Sequence, residues 1–558
     1  MLNQREMQIL EEKSSHTYRA ARPTSKTADI LPTPLSGERP TAYADRVGSW
    51  YVSTVTAEHR KKHGLYLTPV AVADFMAGLH GGEECNLRIL DPAAGAGILL
   101  CALVEQAVEC KKINALHISA YEIDEGLLPC LMATLAYLEK WCDSRGVKLD
   151  SNLIHGDFIL DHSHNLRENG SLLSSQESCF YDVVVANPPY FKISKNDPRA
   201  VAASSVVHGQ PNIYGLFMAV GASILKEGGE LIFITPRSFA SGQYFKAFRE
   251  QFFALIRPET VHVFESRVDA FSRDEILQEN IILKGVRQQQ AYNGTAHVTI
   301  STSHGARDIT APTHRIVALS DILDKPKGMT LRLPVSDEES HLLNAVDAWQ
   351  GSLKKYGLNI STGPVVPFRA TELLDTSGDV PATHTPLLWM NHINAMHTEW
   401  PKRTKKPEYI KNEATARGLL VPNRNYVLLR RFSAKEEKRR LNASPYLAAE
   451  FAAPLVGLEN HLNYIHRPEG ELTVEEAIGL AALLNSGIMN RYYRVINGNT
   501  QVSATELRVL PLPPHETIIE IGRAISRYNG NAEAMLDNVV TDILCLPEFQ
   551  KEREKEYA

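Results

Sequence analysis

The sequence predicts an α/β protein: a Rossmann-like, mostly parallel sheet with helices on both faces, followed by a C-terminal mixed α+β domain. Three observations predict it. From about residue 46 to 310 short apolar runs alternate with helical stretches, the rhythm of a buried parallel sheet. After that the rhythm stops, and proline-bearing loops, basic segments and scattered aromatics continue to the C-terminus. At 558 residues the chain is also too long for one core. We therefore expect a flexible arm over 1–45, an α/β domain over 46–310 and a second domain over 311–558.

The arm, with its RPTSKTADILPTPLSGERPT stretch, has too few apolar residues to build a core. Thr68 and Pro69 predict a helix start, with Thr68 as cap and Val72, Phe75, Met76 and Leu79 on one face. Expected strands are LRILD (87–91), HISAYE (117–122), NLIHGD (152–157), YDVVVAN (181–187), ELIFIT (230–235) and ENIILK (279–284). Leu127–Trp141 and Tyr214–Lys226 read as helices between them, and Val474–Leu484 as a helix of the second half.

No stretch approaches the ~18–20 uncharged residues a membrane span needs, and the N-terminus lacks a signal-peptide core. Seven cysteines without a CxxC pair point to a reducing compartment, so the expected location is the cytoplasm. The net charge of −6 hides an asymmetry. Residues 400–441 hold thirteen Lys and Arg against four Glu, a local +9 that leaves −15 to the remainder. Such an island suits phosphates and equally suits a solvated loop. Arg430, Arg431, Arg439 and Arg440 are its candidate phosphate contacts.

Four strand ends carry chemistry. The first runs into Asp91-Pro92-Ala93-Ala94-Gly95-Ala96-Gly97, where two glycines allow close backbone approach by a ligand or simply make a turn. Leu100 stands where a dinucleotide fingerprint places its third glycine, and an acid before the glycines suits a ligand with a cationic amino-acid head. The second ends at Glu122-Ile123, an acid where nucleotide-binding sheets grip a ribose diol. The third ends in Gly156-Asp157-Phe158, a carboxylate for an exocyclic amine beside a ring. The fourth delivers Asn187-Pro188-Pro189-Tyr190. Prolines there can merely end a strand. The set also suits a planar nitrogen substrate: the Asn187 oxygen and Pro188 carbonyl accept the two hydrogens of an NH₂ while Tyr190 stacks on its ring.

These pieces, in this order, resemble the class I, S-adenosylmethionine-dependent DNA adenine-N6 methyltransferases of gamma-type order, the Eco57I- and TaqI-like type II modification methylases. The Asn-Pro-Pro-Tyr tetrad matches that family's catalytic motif, and His63-Gly64-Leu65-Tyr66-Leu67-Thr68-Pro69 resembles its N-terminal cofactor motif. Phe271-Ser272-Arg273-Asp274 is similar to the segment carrying a second base-stacking aromatic, and Asn499–Arg508 to a C-terminal stretch of type II methylases. The resemblance covers residues 50–300 and is diffuse over 310–480.

The resemblance implies a methyl-transferring sheet domain followed by a target-recognition domain that binds double-stranded DNA. Thr68, Pro69, Asp91, Ala93, Gly95 and Gly97 would shape the S-adenosylmethionine site. Glu122 would hold its ribose, Ile123 and Phe158 its adenine, and Asp157 the amino group. Asn187, Pro188, Pro189 and Tyr190 would handle a flipped adenine, with Phe271 as second stacking ring and Phe264 as its rival. Gln501 and Arg508 would join the DNA-reading residues. The same tetrad occurs in methylases of release-factor glutamine and of RNA guanine, and a silent DNA-binding module is a third reading; neither methylase group explains the residues after 310. Any cognate restriction endonuclease is expected as a separate chain. His59 and His63 lack the intervening Glu of a zinc-protease helix, so no metal site is expected there.

Overall fold

The computed structural model describes residues 16–19, 31–82, 84–110, 113–168, 180–209, 211–266, 279–288, 296–326, 328–375, 384–433, 437–497, 501–528 and 532–546. Two compact units divide the chain, Met1–Val335 and Ser336–Ala558.

Unit 1 is built on ten strands: β1 (His16–Arg19), β2 (Asn86–Asp91), β3 (Ala115–Glu122), β4 (Lys148–His155), β5 (Tyr181–Ala186), β6 (Leu225–Pro236), β7 (Ile256–Phe264), β8 (Asn280–Arg287), β9 (His297–Ser303) and β10 (Thr313–Ala318). Their order across the sheet is β1-β4-β3-β2-β5-β6-β8-β7-β9-β10. The run β4-β3-β2-β5-β6 is parallel. β8 is antiparallel to both of its neighbours. The chain travels outward one way from β2 and the other way from β5, so the boundary between these strands is the switch point at which open α/β sheets bind ligands.

Side-chain alternation builds a core on each face. Val184, Ala186, Leu231 and Phe233 join one cluster; Val183, Val185, Ile232 and Ile234 join the other. The covering helices in chain order are α1 (Pro40–Thr54), α2 (Ala57–His63), α3 (Val70–Gly78), α4 (Ile98–Cys110), α5 (Leu128–Asp143), α6 (Phe158–His162), α7 (Ile213–Ile224) and α8 (Lys246–Leu255). Helix α7 is buried all round because it packs between the sheet and α8.

Unit 2 has a helical layer, a two-stranded hairpin of Ile393–Asn394 with His397–Thr398, and two larger sheets. Strands β11 (Asn359–Thr362), β12 (Leu374–Asp375), β13 (His384–Leu388), β14 (Tyr409–Lys411), β15 (Leu420–Pro422), β16 (Tyr426–Arg430), β17 (Ala443–Tyr446), β18 (Leu455–Leu458) and β19 (Leu462–His466) form them. The orders are β11-β19-β16-β17 and β12-β14-β13-β18-β15. Helix α9 (Val474–Asn485) is closed by a capping box between Thr473 and Glu476.

Three expectations need correction. The domain boundary lies at Val335–Ser336 rather than 310, because β10 extends the large sheet by pairing antiparallel with β9. The arm does not run to 45: α1 starts at Pro40 and buries Tyr43, Ala44 and Val47, while His16–Arg19 pairs antiparallel with β4. Residues 1–15 and 20–30 lie outside the described residues. Thr68 is not a cap, since α3 begins after Pro69 without a side-chain cap and the Thr68 hydroxyl is engaged elsewhere.

Candidate active site

The turn after β2 is shaped by backbone. Gly95 and Gly97 take φ of 56° and 88°, where a β-carbon is penalised. A Cβ on Gly97 would stand 3.0 Å from Leu131 Cδ1, whereas one on Gly95 would meet nothing within 4 Å. Gly97 thus lets the turn pack on α5, and Gly95 leaves its outer side open. Below them Asp91 is buried and accepts the Ala93 N–H at 3.0 Å; burial pushes its carboxyl up to about 8 despite that bond.

Glu122 closes β3 and faces the same turn. Its Oε2 accepts the Gly95 N–H at 2.9 Å, and its Oε1 accepts those of Ile123 and Asp124 at 2.9 and 2.8 Å. Burial still raises it to about 7. Asp157, two residues past the end of β4, caps α6 through Oδ1, which accepts from Ile159 and Leu160 at 3.1 and 3.2 Å. Burial raises its pKa as well, and Arg199 Nε lies 3.9 Å from the other oxygen. Phe158 is buried against Tyr121 and Phe217.

Asn187 follows β5. Its Nδ2 donates to Thr68 Oγ1 at 3.0 Å and to the Tyr66 carbonyl at 3.3 Å. Two acceptors on the nitrogen fix the amide orientation and leave Oδ1 as an acceptor. Tyr190 donates its hydroxyl to that Oδ1 at 2.5 Å and to the Ile234 carbonyl at 3.0 Å. Tyr190 is buried, which drives its pKa well up, and its ring lies nearly parallel to Tyr66 with centroids 5.9 Å apart.

A cavity of about 410 Å³ opens on this edge, its wall including Glu122, Ile123, Asp157, Phe158, Asn187 and Pro189. A second of about 50 Å³ touches Thr68, Asp91, Ala93, Gly95 and Asn187. Pro69, Gly97, Pro188 and Tyr190 line neither, and Phe271 lies outside the described residues. Phe264 is a core residue at the end of β7. Arg199, Phe217, His63 and Tyr51 also line the larger cavity. Only the His59–His63 spacing hinted at any of these from sequence.

His59 belongs to a latch. His59, His63 and Asp124 bring ligand-type atoms within 4.8 Å of one another. Asp124 Oδ2 accepts the Tyr51 hydroxyl at 2.7 Å and meets His59 Nε2 at 2.8 Å, while Oδ1 accepts the Gly126 N–H at 3.1 Å. Burial opposes the Asp124 charge, but the bonds from His59 and Tyr51 hold its pKa below the usual carboxylate value. Helices α1 and α2 are thereby tied to the loop that orients Glu122.

The basic island of unit 2 corrects the sequence reading at Arg439 and Arg440. Arg439 and Arg440 are buried; Arg439 Nε donates to the Asn485 carbonyl at 2.8 Å and Arg440 to the Ser433 carbonyl. Both guanidinium groups are turned inward onto backbone carbonyls. Arg430 donates to the Ile393 carbonyl at 2.5 Å, and Arg431 to the Asn460 carbonyl at 3.0 Å. With its amide oxygen facing Arg431, Gln501 accepts from Nε at 2.9 Å and Nη2 at 2.8 Å, and the Phe432–Gln501 bridge joins the two segments. Arg508 is exposed and donates to the Ile360 carbonyl at 2.8 Å.

A large α/β sheet with this chemistry along one edge is the frame of a methyltransferase, and relatives bear that out. The Eco57I restriction-modification methylase family matches residues 102–271. Type II methyltransferase M.BsuBI of Bacillus subtilis is 32% identical over 493 residues, 87% of this chain and 95% of that protein. Type II methyltransferase M.PstI of Providencia stuartii is 34% identical over 504 residues, 88% of this chain and 95% of its own length. The chain belongs to this family of type II restriction-modification methyltransferases. Among solved structures, the type IIG restriction endonuclease BpuSI aligns over 90% of this chain and 68% of its own, at 14% identity and a TM-score of 0.41. Among the described residues, no helix is long and apolar enough to cross a membrane.

Proposed function

We propose that this protein is an S-adenosylmethionine-dependent methyltransferase acting on N6 of adenine in double-stranded DNA. One observation carries the reading: Asn187 and Pro189 open on the same cavity as Glu122, Ile123, Asp157 and Phe158. The cavity volume is within the range of small-ligand sites, and the open side of Gly95 lets backbone meet a ligand.

When bound, S-adenosylmethionine supplies an electrophilic methyl on a sulfonium. Glu122, held by three N–H groups, takes the ribose hydroxyls; Ile123 and Phe158 flank the cofactor's adenine; and the Asp157 oxygen not used in capping takes its amine. Asp91, Ala93, Gly95 and Gly97 set the turn, with Thr68 and Pro69 bordering it. Asn187 Oδ1 and the Pro188 carbonyl accept the two N6 hydrogens, which favours a pyramidal nitrogen with its lone pair free for in-line attack. Thr68 acts through Asn187 by fixing its amide.

An adenine inside a duplex must be flipped out, at a few kcal/mol. Stacking on an aromatic, ~1–3 kcal/mol, offsets part of that. Tyr190 already has Tyr66 on one face, so a base entering on that side displaces Tyr66. Phe271 is proposed as the second ring. Unit 2 supplies DNA reading, a cognate nuclease is a separate chain, and the setting is the cytoplasm.

The test is methylation-aware sequencing of plasmid DNA incubated with purified protein and S-adenosylmethionine. N6-methyladenine at a recurrent sequence supports the reading. Methylated release-factor glutamine with untouched duplex overturns it.

A further inference from the structure

Arg439 and Arg440 are buried and Arg430 and Arg431 are half-buried on backbone carbonyls, so apart from the lone exposed Lys438 among the described residues the densest exposed charge of the island lies elsewhere. The segment before β14 supplies it. Lys402, Arg403, Lys405 and Lys406 fall within five residues, and Arg403, Thr404, Lys405 and Lys406 are exposed. Lys402 pairs with Glu399 at 2.7 Å. Among the described residues, no ion pair engages Arg403, Lys405 or Lys406.

This segment is built, not merely exposed. Glu408 is buried directly after it, and its carboxylate accepts the Lys402 N–H at 2.7 Å and the Arg403 N–H at 3.0 Å. His392 Nε2 lies 3.2 Å from the same carboxylate. Trp389 Nε1 donates to the Pro407 carbonyl at 2.5 Å, and Trp400 Nε1 to the Glu408 carbonyl at 3.3 Å. Lys406 Nζ stands 4.7 Å from the centre of the Trp389 ring. Arg403 takes φ of 51°, a left-handed conformation that a non-glycine residue keeps only where its surroundings impose it. A solvated loop has no use for a buried carboxylate that holds two consecutive backbone N–H groups.

We propose that Arg403, Lys405 and Lys406 form a preorganised prong that binds the phosphate backbone of duplex DNA. This rests on the DNA reading above and assigns it a surface. Contacts to phosphate position a duplex without reading its sequence. The prong therefore contributes equally to cognate and scrambled DNA.

The test measures binding of the full chain to cognate and scrambled duplexes across a salt series. Alanine at Arg403, Lys405 and Lys406 together should weaken both duplexes alike and flatten the slope of log K against log salt by about 2–3, at ~0.9 per phosphate neutralised. Glu408→Gln keeps every prong charge and loosens its backbone, so affinity should fall while the slope stays near wild type. A triple variant with wild-type affinity and slope overturns the prong and leaves the DNA reading standing. Loss confined to the cognate duplex overturns it too, since that is base reading. A wild-type chain that binds no duplex at any salt overturns the DNA reading, and the prong with it.

Discussion

The edge of the unit 1 sheet and the basic segment of unit 2 present their chemistry in opposite ways. Along the edge, polar groups converge by local rule: a glycine turn follows β2, an acid closes β3, and backbone N–H groups one or two residues away orient that acid. In the basic segment, residue type says little. Arg403 and Arg440 are both arginines of one island, yet the first is exposed and the second is sealed beneath Ser433 and Asn490. Function written into strand ends is stated by sequence order; function written into surface charge depends on which side chains long-range packing spares.

The contrast is sharpest at Asn187. Asn187→Ala should lower methyl transfer by about 10²–10³-fold or more, the scale of losing one transition-state hydrogen-bond partner, with S-adenosylmethionine binding retained. Single-turnover assays and calorimetry separate the two. If cofactor affinity fell as much as the rate, the division between cofactor and acceptor residues along the edge would be wrong.

Glu122→Ala should cost about 1.5–3 kcal/mol of cofactor affinity, the worth of hydrogen bonds to a charged group. Calorimetry on the folded variant reads it, and an unchanged Kd removes Glu122 from the site. Arg440→Ala tests the other region. It should lower stability by about 1–3 kcal/mol through stranded buried carbonyls, visible as a lower Tm. Undiminished Tm with weakened DNA binding would erase the distinction between internal and exposed cations.

The smallest effect is in pH. In the proposed role Glu122, raised to about 7 by burial, would hold the ribose diol best as a carboxylate, so protonation would weaken the site. Cofactor affinity should rise with pH through about 7 and level off above it, and Glu122→Gln should flatten this dependence. A calorimetric series between pH 6 and 8.5 decides it; an equal slope in both proteins would assign the titration to another group.

What was legible follows the same division. The six expected strands are all present because each is a short, largely buried apolar run whose fate is local. β1, β7, β9 and β10 went unread: β1 is a polar HTYR, Pro258 and Glu259 interrupt β7, and β10 is half-exposed THRIVA, without a continuous apolar run. Missing β10 is what placed the boundary too early. Glu122, Asp157, Phe158 and Asn187 do meet at one cavity, as their strand-end positions imply. The Tyr51–Asp124–His59 latch was invisible because its members come from helices and a loop that only the folded sheet brings together. The role of Thr68 was misread for the same reason: its partner is 119 residues away.

That separation governs when the site can exist. The Asn187 amide is aimed by Thr68 and Tyr66, 119 and 121 positions earlier in the chain. On a ribosome, the glycine turn and Glu122 emerge well before Asn187 does. Contacts that close long loops pay their entropy before they gain anything. The Asn187 amide is therefore held in place only once β5 pairs beside β2.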